Sequence, residues 1–191
     1  MILFFDTETT GRPLNYKAPV TDAKNWPRMV QLAWVQTDNE GNMLQEGNHI
    51  IKPVGYTIPA NVVKIHGIST DIALEKGEDL DGVLIRFEEM IKSSTLIAAH
   101  NIEFDDSVIR AEYHRNAMPT TLPKKPQFCT MKSKNIINHC ALIGPYGFKW
   151  PALSELHRKL FKEDFSNAHN ALNDVRATAK CYWKLKELGV I

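Results

Sequence analysis

Residues 1–11 read MILFFDTETTG. Five apolar residues, Met1–Phe5, run straight into Asp6, Thr7 and Glu8. Such a short apolar and aromatic run predicts a central, buried strand. Side chains alternate along a strand, so Asp6 and Glu8 share one face while Thr7 points to the other. Gly11 then allows a sharp turn. Unpaired charge is costly to bury, so two carboxylates side by side at the end of a buried strand resemble half of a cation site. A strand end with solvated acids is the competing reading of these residues alone.

Outward from this stretch, RMVQLAWVQT (28–37) and NHIIKP (48–53) flank the turn-like DNEGN (38–42) and predict antiparallel strands. DLDGVLIRFEEMIKSS (79–94) places Val83, Leu84, Phe87, Met90 and Ile91 on one helical stripe. TLIAAH (95–100) reads as another buried strand, leading into a helix that begins near Phe104 and carries Val108 and Ala111. PALSELHRKLF (151–161) opens on Pro151 at a helix start. A last helix runs from residue 170 to Leu188, with Leu172, Val175, Ala179 and Trp183 inward and Gly189 at its end. Strands come first and helix and strand then alternate, which predicts an α/β fold with a mixed sheet and helices on both faces. Two connections, 11–27 and 119–127, are long and irregular.

The chain has 191 residues, 43% apolar and 24% charged, which suits one globular domain over 1–191. No apolar run approaches the roughly 20 residues of a membrane span, and no basic segment precedes the first apolar run as in a signal peptide. Cys129, Cys140 and Cys181 lack metal-ligand spacing and read as reduced thiols of a cytoplasmic protein. The net charge of +1 hides an asymmetry: residues 61–120 hold 6 Lys+Arg against 11 Asp+Glu, and residues 121–191 hold 12 against 5. A carboxylate site beside a cationic surface for a polyanion fits this pattern, and so do unevenly charged solvated faces. Lys124, Lys125, Lys132, Lys134 and Lys149 are the candidate contacts to a phosphate backbone.

Two further stretches carry acids beside apolar sequence. AAHNIEFDDSVI (98–109) offers Asn101, Phe104, Asp105 and Asp106 where a helix begins, a position where Asp also simply caps. In AHNALNDVRATA (168–179), His169 and Asp174 would lie roughly 140° apart on an ideal helix. His169 therefore belongs to a loop or first turn and Asp174 to the helix proper. If these acids converge, two like charges 4 Å apart cost about 4 kcal/mol at an effective dielectric near 20. Four of them call for divalent cations or raised pKa values, and all-oxygen ligands suit Mg²⁺ or Mn²⁺ rather than zinc.

FDTETTG (5–11), HNIEFD (100–105) and HNALND (169–174) resemble, in order and spacing, the three motifs of the DEDDh 3′→5′ exonucleases. These DnaQ-like enzymes include the epsilon-subunit type of DNA polymerase III and the ribonuclease T type. IHGIS (65–69) and FCTMKSK (128–134) resemble intervening segments of that family. The resemblance implies a ribonuclease H-like fold with a mixed five-stranded sheet and helices on both faces. It implies a metal-dependent 3′→5′ exonuclease that releases nucleoside 5′-monophosphates from single-stranded DNA or RNA 3′ ends. Asp6, Glu8, Asp105 and Asp174 would hold two Mg²⁺ or Mn²⁺ ions about 3.5–4 Å apart, and His169 would be the general base. Thr9, Thr10, Ile65, His66, Asn101 and Phe104 would surround the terminal nucleotide, with Glu8 on its 3′-hydroxyl.

The single-stranded 3′ end is the partner so implied, with no membrane involved; a polymerase or repair partner and a homodimer stay open. The 11–27 connection departs from the family pattern, and its Arg12, Tyr16 and Trp26 either touch nucleic acid or pack on the sheet. Two other function classes remain: a catalytically silent nucleic-acid-binding module, against which the complete set of five residues argues, and a small-phosphoester hydrolase.

Overall fold

The computed structural model describes residues 1–163 and 170–191. Its central strand is β1 (Ile2–Thr9), followed by β2 (Met29–Thr37), β3 (Met43–Ile50), helices α1 (Ala60–His66), α2 (Thr70–Lys76) and α3 (Leu80–Ser93), strand β4 (Leu96–Ala99), helix α4 (Ile102–Arg115), strand β5 (Gln127–Cys129), helix α5 (Lys134–Cys140), a small hairpin of β6 (Ile143–Gly144) and β7 (Gly147–Phe148), and helices α6 (Leu153–Phe161) and α7 (Ala171–Glu187). The main sheet has the order β3-β2-β1-β4-β5. The β1–β2 and β2–β3 pairs are antiparallel, whereas β4 runs parallel to both β1 and β5. This is the expected five-stranded mixed sheet of a ribonuclease H-like α/β fold.

The alternation of β1 divides the core into two layers. Odd residues Leu3 and Phe5 pack under α3 and α4 with Leu84, Phe87, Val108 and Ile109. Even residues Ile2 and Phe4 pack under α7 with Ala171, Val175, Ala179 and Tyr182. Helices therefore cover both faces, and β1, lined on both, has Leu3, Phe4 and Phe5 fully buried.

Several elements differ from the sequence expectation. The predicted strand at 48–53 lies at Met43–Ile50. The Asp38 carboxylate accepts bonds from the Glu40 and Asn42 amides at 2.9 Å each, which closes the turn so tightly that pairing resumes by Met43. Most of β3 is solvent-exposed edge, so its apolar pattern is weak. Helix α6 starts at Leu153, not Pro151; the Glu155 carboxylate accepts from the Ala152 amide at 2.8 Å and caps it there. Helices α1, α2 and α5, seven residues each, and the β6–β7 hairpin are additional to the elements the sequence predicts.

The 11–27 connection mostly packs. Trp26 is buried and its indole N–H donates to the Pro19 carbonyl at 3.1 Å, whereas Tyr16 and Arg12 are exposed. A fully buried carboxylate fastens it: Glu112 of α4 accepts from the Met29 amide at 2.9 Å and Arg28 Nε at 3.0 Å, and pairs with Arg115 at 3.0 Å. Arg115 in turn donates to the carbonyls of Ala23 and Trp26 at 2.7 and 2.6 Å. Among the described residues no helix is long and apolar enough to cross a membrane.

Candidate active site

Asp6 and Glu8 project from the α7 face of β1, half-buried. Helix α7 presents Asp174 from its first turn to the same face. Single carboxylate oxygens of Asp6, Glu8 and Asp174 lie within 4.8 Å of one another. The start of α7 is fixed by the Ala171 amide, which donates to Gln31 Oε1 at 3.3 Å, and Gln31 is paired in register with Glu8. One helix terminus and one strand end thus bring acids from opposite ends of the sequence to one point.

Asp105 approaches from the other side of β1. It is buried on α4, and its Oδ1 accepts from the Thr7 hydroxyl at 2.7 Å and the Thr7 amide at 3.0 Å. Thr7, between Asp6 and Glu8 but pointing away from them, is therefore what anchors the fourth acid. Strand alternation alone puts Thr7 on the opposite face and names no partner for it. The strand alternation was the available signal, because the opposite face is the one that α4 covers.

Crowding leaves these groups reluctant to ionise. Burial raises the Asp6 carboxyl well above its ordinary range, and the charges of Asp105, Asp174 and Glu8 add to this. Burial, then Asp174 and Asp105, push Glu8 up to about 8. Burial raises Asp105 to about 7 against the lowering effect of its bonds from Thr7. A carboxyl with a higher pKa folded than unfolded stabilises the fold fully below its unfolded pKa, and that contribution is lost as pH rises through the folded value. The melting temperature of the metal-free protein is accordingly expected to fall between about pH 4 and pH 8, read from thermal melts in a chelator at stepped pH. A flat profile across that window would refute the crowding.

The expected substrate residues divide. Thr10 donates its amide to the Arg28 carbonyl and accepts from the Arg28 amide on its hydroxyl oxygen, both at 2.9 Å, so its N–H is already engaged. The Thr9 hydroxyl donates to the Gly11 carbonyl at 2.7 Å. Ile65 is exposed at the end of α1, and His66 beside it is buried. His66 Nδ1 accepts from the Ile68 amide at 3.1 Å, while Nε2 is buried, without a regular hydrogen bond among the described residues, and faces the Thr9 backbone. Burial lowers the imidazole pKa against a smaller raising effect of the Thr9 backbone. Asn101 takes a left-handed conformation, φ 71°, at the start of α4. Phe104 is half-buried one turn on, its ring 6.5 Å from that of exposed Tyr16. His169 lies outside the described residues.

The lysines separate by sheet edge. β1, β4 and β5 run parallel, so Asp6, Glu8 and the residues after β4 and β5 share one edge. Lys132 and Lys134 follow β5 and lie on the acid edge. Lys124 and Lys125 precede it, and Lys125 Nζ donates to the carbonyls of Lys92 and Ser94 at 3.0 and 2.6 Å, at the opposite edge. These two are therefore not on the side of the acids.

Residues 3–182 match the RNase T family model, described as exonuclease, and the chain belongs to this exonuclease family. It is similar to exodeoxyribonuclease I of Escherichia coli (strain K12), 28% identical over 189 residues, covering 92% of this chain and 38% of that protein. A PolC-type DNA polymerase III of Streptococcus thermophilus (strain ATCC BAA-491 / LMD-9) is 33% identical over 116 residues, 61% of this chain and 7% of the polymerase. The crystal structure of E. coli exonuclease I in complex with a dA16 oligonucleotide superposes with a TM-score of 0.78 at 25% identity, covering 97% of this chain and 40% of that one. The zinc-ion-bound form of the E. coli ExoI–ssDNA complex gives 0.73 at 27% identity, covering 98% and 40%. The chain thus spans about two fifths of the length of these exonuclease I relatives.

Proposed function

We propose that residues 1–191 act as a single exonuclease domain that hydrolyses single-stranded DNA or RNA from the 3′ end and releases nucleoside 5′-monophosphates. The observation that carries this reading is the convergence of Asp6, Glu8 and Asp174 within 4.8 Å at the end of β1, with Asp105 fastened behind them by Thr7. Family membership supports it, as do neighbours crystallised with single-stranded oligonucleotides.

The donor set fits divalent cations: carboxylate oxygens only, crowded enough to hold protons when no cation is there to offset their charge. Asp6, Glu8 and Asp174 would hold one Mg²⁺ or Mn²⁺, and Asp6 with Asp105 a second. Such ions, when bound, supply positive charge to the scissile phosphate and to its entering and leaving oxygens. The chain supplies the rest. Glu8 accepts from the 3′-hydroxyl, so a blocked end is rejected. Ile65 and His66 flank the terminal base. Phe104 and Asn101 wall the site from α4. His169 takes the proton from the attacking water, since an ordinary imidazole is half neutral near pH 6.5. Three free thiols support a reducing, cytoplasmic setting.

The test is a 5′-labelled single strand with Mg²⁺ or Mn²⁺, its 3′-hydroxyl free or blocked. A descending ladder from the free end alone is expected. Binding without cleavage would favour a silent module, and hydrolysis of mononucleotide esters alone a small-phosphoester hydrolase. His169→Ala is expected to slow single-turnover hydrolysis by roughly 10²–10⁴-fold, with the deficit shrinking on addition of imidazole.

A further inference from the structure

The β6–β7 hairpin breaks the ordinary rule of apolar burial. Tyr146 is 103% exposed, Phe148 50% and Trp150 56%, on a ribbon outside the main sheet. Its base is nevertheless tied to the acid edge. The Pro151 carbonyl accepts from His100 Nε2 at 3.1 Å, directly after β4, and His100 Nδ1 meets the Thr130 hydroxyl at 3.0 Å, directly after β5. Lys132 Nζ sits 4.9 Å from the centre of the Trp150 ring and pairs with Glu103 in the first turn of α4, two residues before Asp105. Lys149, within the hairpin, pairs with Glu155 at 2.6 Å. Lys134, two residues after Lys132, is exposed at the start of α5. Exposed rings interleaved with lysines thus stand on the same edge as the carboxylates.

We propose that this hairpin is a stacking platform for the single strand upstream of the terminal nucleotide. Tyr146, Phe148 and Trp150 offer ring faces to unpaired bases, and Lys132, Lys134 and Lys149 face the backbone. This rests on the exonuclease reading, which puts the 3′ end at Asp6 and Glu8. Single-stranded nucleic acid is the occupant that matches both features: every base has a π face, and phosphates match the lysines. Exposed ion pairs contribute little, so Lys132 and Lys149 can exchange Glu103 and Glu155 for phosphate oxygens.

The experiment measures anisotropy of labelled DNA and RNA strands of about 20 nucleotides in a chelator, together with kcat/KM for that length and for a trinucleotide in Mg²⁺. Tyr146→Ala and Trp150→Ala are expected to weaken long-strand binding by about tenfold each, and to lower the long-to-short ratio of kcat/KM by a similar factor. Duplex binding should change much less. Lys134→Ala should instead reduce the salt slope of binding by about one. Long-strand affinity and a ratio within about twofold of wild type in the double aromatic variant would overturn the platform, as would an equal loss for duplex. Wild-type protein that degrades neither length would overturn the exonuclease reading, and the anisotropy alone then judges the hairpin. Wild-type cleavage of both lengths with an unaffected double variant overturns the hairpin and leaves that reading intact.

Discussion

Asp6→Asn and Asp174→Asn are each expected to lose turnover by at least about 10³-fold, equivalent to about 4 kcal/mol of barrier. Either change takes one of the three carboxylates whose oxygens lie within 4.8 Å of one another, and so removes part of the negative charge and one of the ligands that a dication would bind there. The same substitution should make the metal-free fold more stable. Asp6 is raised first by burial and then by three neighbouring acids, so a neutral amide removes repulsion at alkaline pH. A gain on the order of 1 kcal/mol, about 2–4 °C in melting temperature, is expected at pH 8.5 in a chelator. The wild type should gain stability from added Mg²⁺ while both variants gain less. Opposite signs on activity and stability distinguish loss of a site from loss of a fold. Full turnover in either variant would remove the acid cluster from the chemistry.

The second large effect is on stability. Glu112→Ala is expected to cost about 3–5 kcal/mol, because it leaves Arg28, Arg115 and the Met29 amide without their shared buried acceptor. For a chain of 191 residues that is roughly 6–20 °C in melting temperature. Glu112→Gln should cost less, since its amide oxygen still accepts from the Met29 amide. Arg176→Ala is the contrast: its bonds to Glu46 are as short, at 2.6 and 2.9 Å, but exposed, and about 0–1 kcal/mol is expected. Activity should fall further than the folded fraction in Glu112→Ala, because Arg28 also fixes Thr10 at the end of β1. Urea unfolding of the three variants provides the test; a Glu112→Ala cost near that of Arg176→Ala would mean that water compensates the buried pair.

What could be read from the residues follows physical strength of signal. Helices α3, α4 and α7 are long enough for an amphipathic stripe; α3 and α7 lie close to their expected limits, and α4 starts two residues before its expected start near Phe104. The DNEGN turn is visible because Asp38 closes it locally. Strand β3 is an exposed edge, and α1, α2 and α5 span two turns each, too short for a periodic pattern to stand out. The hairpin was hidden for the opposite reason: its aromatic residues suggest a core they do not join. Within the candidate site, alternation in β1 put Asp6 and Glu8 together, but the partnership of Thr7 with Asp105 needs the packing of α4. The lysines were indistinguishable by composition; only parallel strand direction separates Lys132 and Lys134 from Lys124 and Lys125. In the 11–27 connection, Trp26 packs and Tyr16 does not, a choice made by Pro19 and by the Arg115 clamp.

The two-sided use of β1 bears on how such a gene can change length. Adding or deleting one codon between Ile2 and Thr9 would rotate every later side chain to the opposite face. Threonine would then meet Asp174, and the acids would be driven against Asp105. Indels are thus excluded from these eight residues and displaced to the stretch beyond Gly11, where the backbone can lengthen without exchanging one face for the other.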